Sequence, residues 1–330
     1  MTTGKHPLTL TRRTVLHAMG AFAAAPILPL TAQDWPSRPI RILVGTAPGG
    51  SPDIISRLLG DHLAKRLGQS VFIENMTQGA GAVAYQTVSN SVPDGHAMAM
   101  LTAGFPPQAA LRKNLPYDPV TGFSFVTVVC GYPMVYAVAP NSPIKSFKEL
   151  LDRAKAKPGE LTYGINALGS IYHILTKWIE IEAGVEFTPI PYRGTAPAFT
   201  DVVAGRIDLM VDAATSAFPR IQAGQLRVLA LSSAERYPLM PSVPIIAETL
   251  SGVEFMSWLG LAMAPGTPRP IVERMNREIR EILALPDVQQ RLIEGGNVAT
   301  PSTPDEMRAK IEHEIARWSR VIEVGGIRTE

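Results

Sequence analysis

The chain is short of net charge, of cysteine and of histidine. Its 31 Lys and Arg nearly cancel its 29 Asp and Glu, leaving a formal +2 over 330 residues. So even a balance gives no electrostatic footprint for nucleic acid and no pull toward an anionic membrane surface. One cysteine, Cys130, excludes an internal disulfide, and its apolar surroundings read as core. The six histidines form no ligand cluster, so neither a metal nor a cofactor is expected. No Gly-x-Ser-x-Gly elbow occurs, so a serine hydrolase lacks its usual site. His313-Glu314 opens a zinc-protease pattern, but Arg317 stands where the second His belongs. Gly79-Ala80-Gly81-Ala82-Val83-Ala84 fits a dinucleotide fingerprint only in spacing. It does not leave a strand directly, and the next strand ends at Thr102 with no acid for a ribose.

What is present begins with an export segment. Lys5, Arg12 and Arg13 precede an apolar run from Ala18 to Leu30, and no acid occurs before Asp34. This is the pattern of a secretory signal over residues 1–32, with cleavage after Ala32. The run is too short for a bilayer, which needs about 20 residues. The Arg12-Arg13 pair points to the twin-arginine route and leaves general secretion open. Removing Lys5, Arg12 and Arg13 takes the formal +2 to −1. A soluble periplasmic protein is the expectation. Roughly 300 remaining residues exceed one comfortable core and predict two lobes.

The lobes read as α/β. Ile40–Val44 is a strand, 53–67 a helix closed by Gly68, and Val71–Ile73 and 97–101 further strands. After Pro140, helices at 147–156, 170–183, 195–204 and 216–223 alternate with strands at 161–164, 187–189, 207–211 and 226–231. Apolar stretches at 125–139 and 255–264 read as strands crossing between lobes. Helices at 271–285, 286–294 and 304–324 return to the first lobe. The expected division is 33–130 with 256–330 for lobe 1, and 131–255 for lobe 2. A ligand cleft lies between them.

Several strand-to-helix loops carry the functional signal. Thr46-Ala47-Pro48-Gly49-Gly50-Ser51-Pro52-Asp53 leaves a strand, turns on two glycines and opens a helix. The free N–H groups and partial positive charge of a helix start can hold an anion with no Lys or Arg. Ser51 is a candidate cap, and Asp53 serves either a ligand or the helix dipole. Thr102-Ala103-Gly104, Asn166 to Ser170 (with Gly169) and Thr195-Ala196 are similar loops at strand ends. In open α/β sheets ligands bind outside those ends, so the loops can converge on one cleft. Asp212 follows a strand there. It can take a ligand hydroxyl or amine, or organise loop N–H groups. His173, one turn after Ser170, reads as a helix residue bonding nearby loops, with a Ser–His pair as the sharper alternative. Trp258 lines the cleft or fills the hinge.

The chain resembles the Bug family, the extracytoplasmic solute-binding receptors of tripartite tricarboxylate transporters. The resemblance is carried by Trp35-Pro36-Ser37-Arg38-Pro39-Ile40, Pro48 to Asp53, Pro93-Asp94-Gly95 and Leu115-Pro116-Tyr117-Asp118-Pro119. It continues through Gly169-Ser170-Ile171-Tyr172-His173, Pro191 to Ala198, Gly205-Arg206-Ile207-Asp208 and Ala264-Pro265-Gly266-Thr267-Pro268. It implies a fold like type II periplasmic binding proteins: two α/β lobes joined by crossing strands, closing on a carboxylate. The ligand-binding loops it implies are Ala47 to Asp53, Thr102 to Gly104, Asn166 to Ser170, and Thr195-Ala196. The implied partners are a small carboxylated ligand and membrane transporter subunits, with the receptor a monomer and not an enzyme. Where family members usually carry Asn, Ser, Gly and Asn, this chain has Ala103, Ile165, Ala167 and Ala213. A less polar pocket follows, suited to a carboxylate with an apolar or aromatic body. An isomerase or hydrolase using Asp53, His173 or Asp212 is the alternative, and a ligand-sensing accessory protein is a third.

Overall fold

A computed structural model describes Met1 and residues 35–112, 114–165, 168–192 and 195–327. Apart from Met1, the expected export segment lies outside the described residues. The first lobe opens with β1 (Ile40–Val44), α1 (Ser51–Leu67), β2 (Val71–Asn75), α2 (Ala82–Ser89), β3 (Ala97–Thr102) and α3 (Phe105–Leu111). Then come β4 (Ser124–Val138) and α4 (Phe147–Ala156). The second lobe adds β5 (Thr162–Ile165), α5 (Ile171–Ala183), β6 (Thr188–Pro191), α6 (Thr195–Val203), β7 (Leu209–Ala213), α7 (Ala214–Gln222) and β8 (Arg227–Leu231). The chain returns through β9 (Met256–Met263), α8 (Arg269–Leu283), α9 (Pro286–Glu294), β10 (Val298–Ala299) and α10 (Pro304–Val324).

The strands alternate faces, and both faces are covered. Ile40, Ile42 and Val44 of β1, with Met98 and Met100 of β3, pack against α1 and α8. Leu43, Ala99 and Leu101 face α2, α3 and α10. That period of two, apolar on both sides, is what a sheet buried between helix layers requires. In each lobe three strands run parallel: β2, β1 and β3 in the first, β6, β5 and β7 in the second. The crossing strands β4 and β9 run antiparallel to their neighbours.

β4 belongs to both lobes. Its 15 residues pair with β9 from Ser124 to Pro133, then with β7 and β8 from Met134 onward. Ser232 ties the passage. Its Oγ accepts from the Met134 N–H at 2.8 Å and donates to the Phe255 carbonyl at 2.5 Å. Its own backbone exchanges bonds with Met134 and Phe255. Trp258 of β9 is buried and donates its Nε1–H to Glu314 of α10 at 3.0 Å. Trp258 therefore fills the hinge, and Glu314 of the His313-Glu314 pair serves as its anchor.

The sequence pattern gives no helix at α2 or α3, because two glycines precede one and Pro106-Pro107 open the other. Gly79 and Gly81 belong to a 3-10 turn, Gln78–Gly81, that feeds α2. Gly81 has φ 90°, and a Cβ on Gly45 would come within 2.6 Å of its Cα. Close backbone approach between the end of β1 and the start of α2 explains this glycine pattern.

Ser232→Ala removes the hydroxyl used by both strand passages. We expect it to lower the unfolding free energy by about 2 kcal/mol, the cost of buried groups left unpaired. Urea unfolding of the wild type and variant measures it.

Candidate functional site

The carboxyl ends of β1, β3, β5 and β7 open on one cavity of about 680 Å³ between the lobes. Thr46, Ser51 and Pro52 line it from the β1–α1 loop, and Thr102, Ala103 and Gly104 from the end of β3. Gly169, Ser170, Ile171 and Tyr172 line it from the start of α5, and Ala213, Thr215 and Ser216 from the start of α7. Helices thus begin at the cavity wall in both lobes, each with N–H groups lacking intrahelical partners. α3 begins there too, but Pro106 and Pro107 have no N–H to offer. The donors are therefore concentrated at α1, α5 and α7.

At α1 the polar groups are poised but unused. Gly50, not Ser51, is the N-cap residue, so the Ser51 hydroxyl does no capping. Ser51 Oγ and Thr46 Oγ1 are both buried and make no hydrogen bond among the described residues. Both residues line the cavity. Buried hydroxyls usually find partners, so two orphans beside a helix start mark a place built for an acceptor or a water.

Asp53 stands behind this loop. Its carboxylate accepts from the Gly49 N–H at 2.9 Å, from Arg57 Nε and Nη2, and from Asn75 Nδ2. The Arg57 bonds hold its pKa below the usual carboxylate range, against the effect of burial. With four bonds accepted, its lone pairs are spent on the loop. Asn75 also donates to the Thr46 carbonyl, fixing the other end of the turn. Ala47, Gly49 and Gly50 form the outer turn and are not among the described lining residues. His173 plays the same part in the second lobe. Its Nδ1 accepts the Gly169 N–H at 3.0 Å, and burial lowers its pKa.

Asn166, Arg193 and Gly194 lie outside the described residues. Thr195 opens α6, and Ala196 beside it is exposed and not among the described lining residues. The start of α7 lines the wall as well. It is set from behind by Gly296, where a Cβ would meet Thr215 Cα at 3.0 Å.

Asp212 does not line the cavity. It is 1% exposed, immediately before the start of α7. Oδ1 accepts the Ala213 N–H at 2.8 Å, and Oδ2 has no partner among the described residues. Burial pushes its carboxyl up to about 6, opposed by the nearby Ser216 hydroxyl, the Ala213 N–H and the Arg220 charge. Ser216 itself donates to the Ala213 carbonyl.

Several lining residues carry no signal in the sequence. Tyr132 and Ser257 are register partners on β4 and β9, and Met134 follows on β4. Fully apolar strands do not reveal which face meets a cavity. Burial raises the Tyr132 and Tyr172 phenols, so both stay neutral donors. Pro107, Gln108, Leu111 and Arg112 come from α3. The sequence pattern calls for no cation at the site, yet Arg112 stands at its wall.

A family model described as the tripartite tricarboxylate transporter family receptor matches residues 55–327. Protein BugT of Bordetella pertussis is 31% identical over 318 residues, covering 94% of this chain and 97% of BugT. The solved structure of R. palustris Rpa4515 with adipate is 33% identical, with a TM-score of 0.77 over 89% of this chain and 99% of that one. MatC (Rpa3494) from Rhodopseudomonas palustris with bound malate is 29% identical, with a TM-score of 0.73 over 87% of this chain and 100% of that one.

Asp212 makes stability depend on pH. Between the ordinary 3.8 and about 6, the unfolded chain has lost the proton that the folded state keeps. Stability therefore falls as pH rises through that window, by on the order of 3 kcal/mol in all. Asp212→Asn keeps the bond to Ala213 and removes the charge. It should stabilise the protein at pH 7.5 and leave it unchanged near pH 4, as read from denaturant unfolding at the two pH values.

Proposed function

The chain belongs to the tripartite tricarboxylate transporter receptor family, and from that premise we propose that it captures a small carboxylate with a substantial apolar part. Capture takes place in the periplasm, and the loaded, closed form is presented to membrane transporter subunits. The observation that carries this reading is the pair of unpartnered hydroxyls, Thr46 and Ser51, at the start of α1 in a cavity between two lobes. A carboxylate there would accept from hydroxyls and helix N–H groups, the contacts an anion needs without a lysine. Ser170 and the N–H groups of α5 and α7 face the same cavity from the other lobe. Closure would bring both sets onto one anion. The structural neighbours with adipate and with malate support a small carboxylate as the ligand class.

The apolar part follows from Ala103, Pro107, Leu111, Met134, Leu168 and Ile171 in the wall. No covalent chemistry is assigned. Of the groups an enzyme on this scaffold would use, Asp53 and His173 are occupied in holding the two loops, and Asp212 is buried just before α7. Ala47, Gly49, Gly50 and Asp53 would act by shaping the first loop, and Thr102 to Gly104, Gly169 and Ser170 by contact. Asn166, Thr195 and Ala196 stay in the proposed set through the family resemblance. We take 33–130 with 256–330 as lobe 1, 131–255 as lobe 2, and a monomer as the working form. Among the described residues no helix is long and apolar enough to cross a membrane. The expected export segment supports delivery to the periplasm.

Calorimetric screening of the purified protein tests the ligand class. Aliphatic or aromatic acids should bind more tightly than citrate or aspartate, and the reverse order overturns the reading. Ser51→Ala and Ser170→Ala should each weaken binding by about 1 kcal/mol, the usual worth of one hydroxyl hydrogen bond.

A further inference from the structure

Asp212 sits one residue behind the cavity wall. It lies near the end of β7, and the next residue, Ala213, lines the cavity, as do Thr215 and Ser216 at the start of α7. Neighbouring Cα atoms stand about 3.8 Å apart. The carboxyl group is buried, and its Oδ2 has no partner among the described residues. Oδ1 accepts the Ala213 N–H, which leaves the first N–H groups of α7 itself to the cavity.

The groups around this carboxyl do not neutralise it. Tyr132 faces it from β4 and Tyr172 from α5, and both residues also line the cavity. Ser216 and Arg220 face it from α7. Ser216 Oγ donates to the Ala213 carbonyl. Arg220 lies over the Phe199 ring, 4.3 Å from its centroid, and its Nη1 is buried without a hydrogen-bond partner among the described residues. An ionised Asp212 is therefore a buried charge that no cation touches among the described residues. Burial pushes its carboxyl up to about 6, so its charge changes close to neutral pH. His173, the other buried titratable group beside the cavity, is held by Gly169 in the β5–α5 loop.

We propose that ligand capture is linked to protonation of Asp212: a carboxylate at the start of α7 and an ionised Asp212 oppose one another, so the receptor takes up a proton with its ligand. The two negative charges would lie on either side of a wall one residue thick, away from water. At an effective dielectric of about 20, charges within about 10 Å change one another's equilibrium about tenfold. The sign follows from linkage. An anion at the wall raises the proton affinity of Asp212, and a protonated Asp212 raises ligand affinity by the same factor. Capture therefore tightens as pH falls toward 6, where simple carboxylates remain ionised. This inference rests on carboxylate capture at the helix starts and adds its regulation.

The test is calorimetry with benzoate and with octanoate, both ionised between pH 6 and pH 8. Wild-type affinity should rise about fivefold from pH 8 to pH 6. At pH 6.5, binding enthalpies in MES and in imidazole buffer should report uptake of about half a proton per ligand. Asp212→Asn should bind equally at both pH values, at least as tightly as the wild type at pH 6, and take up no proton. Circular dichroism melting confirms that the variant folds. Proton uptake that persists in Asp212→Asn belongs to another group, such as His173, and overturns the assignment. A wild type that binds with flat affinity and no uptake overturns the linkage and leaves carboxylate capture standing. Binding of neither acid overturns both.

Discussion

The molecule depends on the passage of two strands between its lobes. A strand that leaves one sheet for another exposes backbone donors and acceptors where its partners change, and these must be satisfied away from water. Here β4 changes partners between Pro133 and Met134. Ser232, fully buried, answers the problem with its hydroxyl and backbone together. One side chain therefore serves both crossings and ties the two strands at a shared point.

The cavity exists because of that arrangement. Parallel strands in both lobes point their carboxyl ends at the gap, so the helices that follow β1, β3, β5 and β7 start at its edge. The loops are then stiffened from behind by charged or titratable groups that do not enter the cavity. Asp53 with Arg57 and Asn75 does this on one side, and His173 on the other. Keeping full charges out of the wall avoids the cost of desolvating them there. Asp212 follows the same logic, buried behind the start of α7 with its acidity weakened. Arg112 departs from it, standing exposed at the wall.

Most elements were legible because their periodicity was strong. α9 and α10 fall on the residues that the apolar spacing and Pro286 and Pro304 indicate. The ends of β5, β6 and β7 sit one or two residues later than the pattern suggests. Buried strands show no alternation to mark an edge. α3 was illegible because two prolines read as a break, although the first turn of a helix tolerates them. Missing that helix also hid Gln108 and Arg112.

The sequence by itself determined the α/β class, the two-lobe size, the crossing stretches and the glycine-rich loops that start helices. These are local properties, set by spacing and by the conformations that glycine and proline allow. Only the tertiary structure decided what each polar residue does. Ser51 and Thr46 keep unpaired hydroxyls at the cavity, while Asp53, a neighbour in the same motif, turns away to Arg57 and Asn75. Tyr132 meets Ser257 across a sheet, and Arg112 reaches the wall from a helix end. Such roles depend on which partners lie within hydrogen-bond reach, and those partners come from distant parts of the chain.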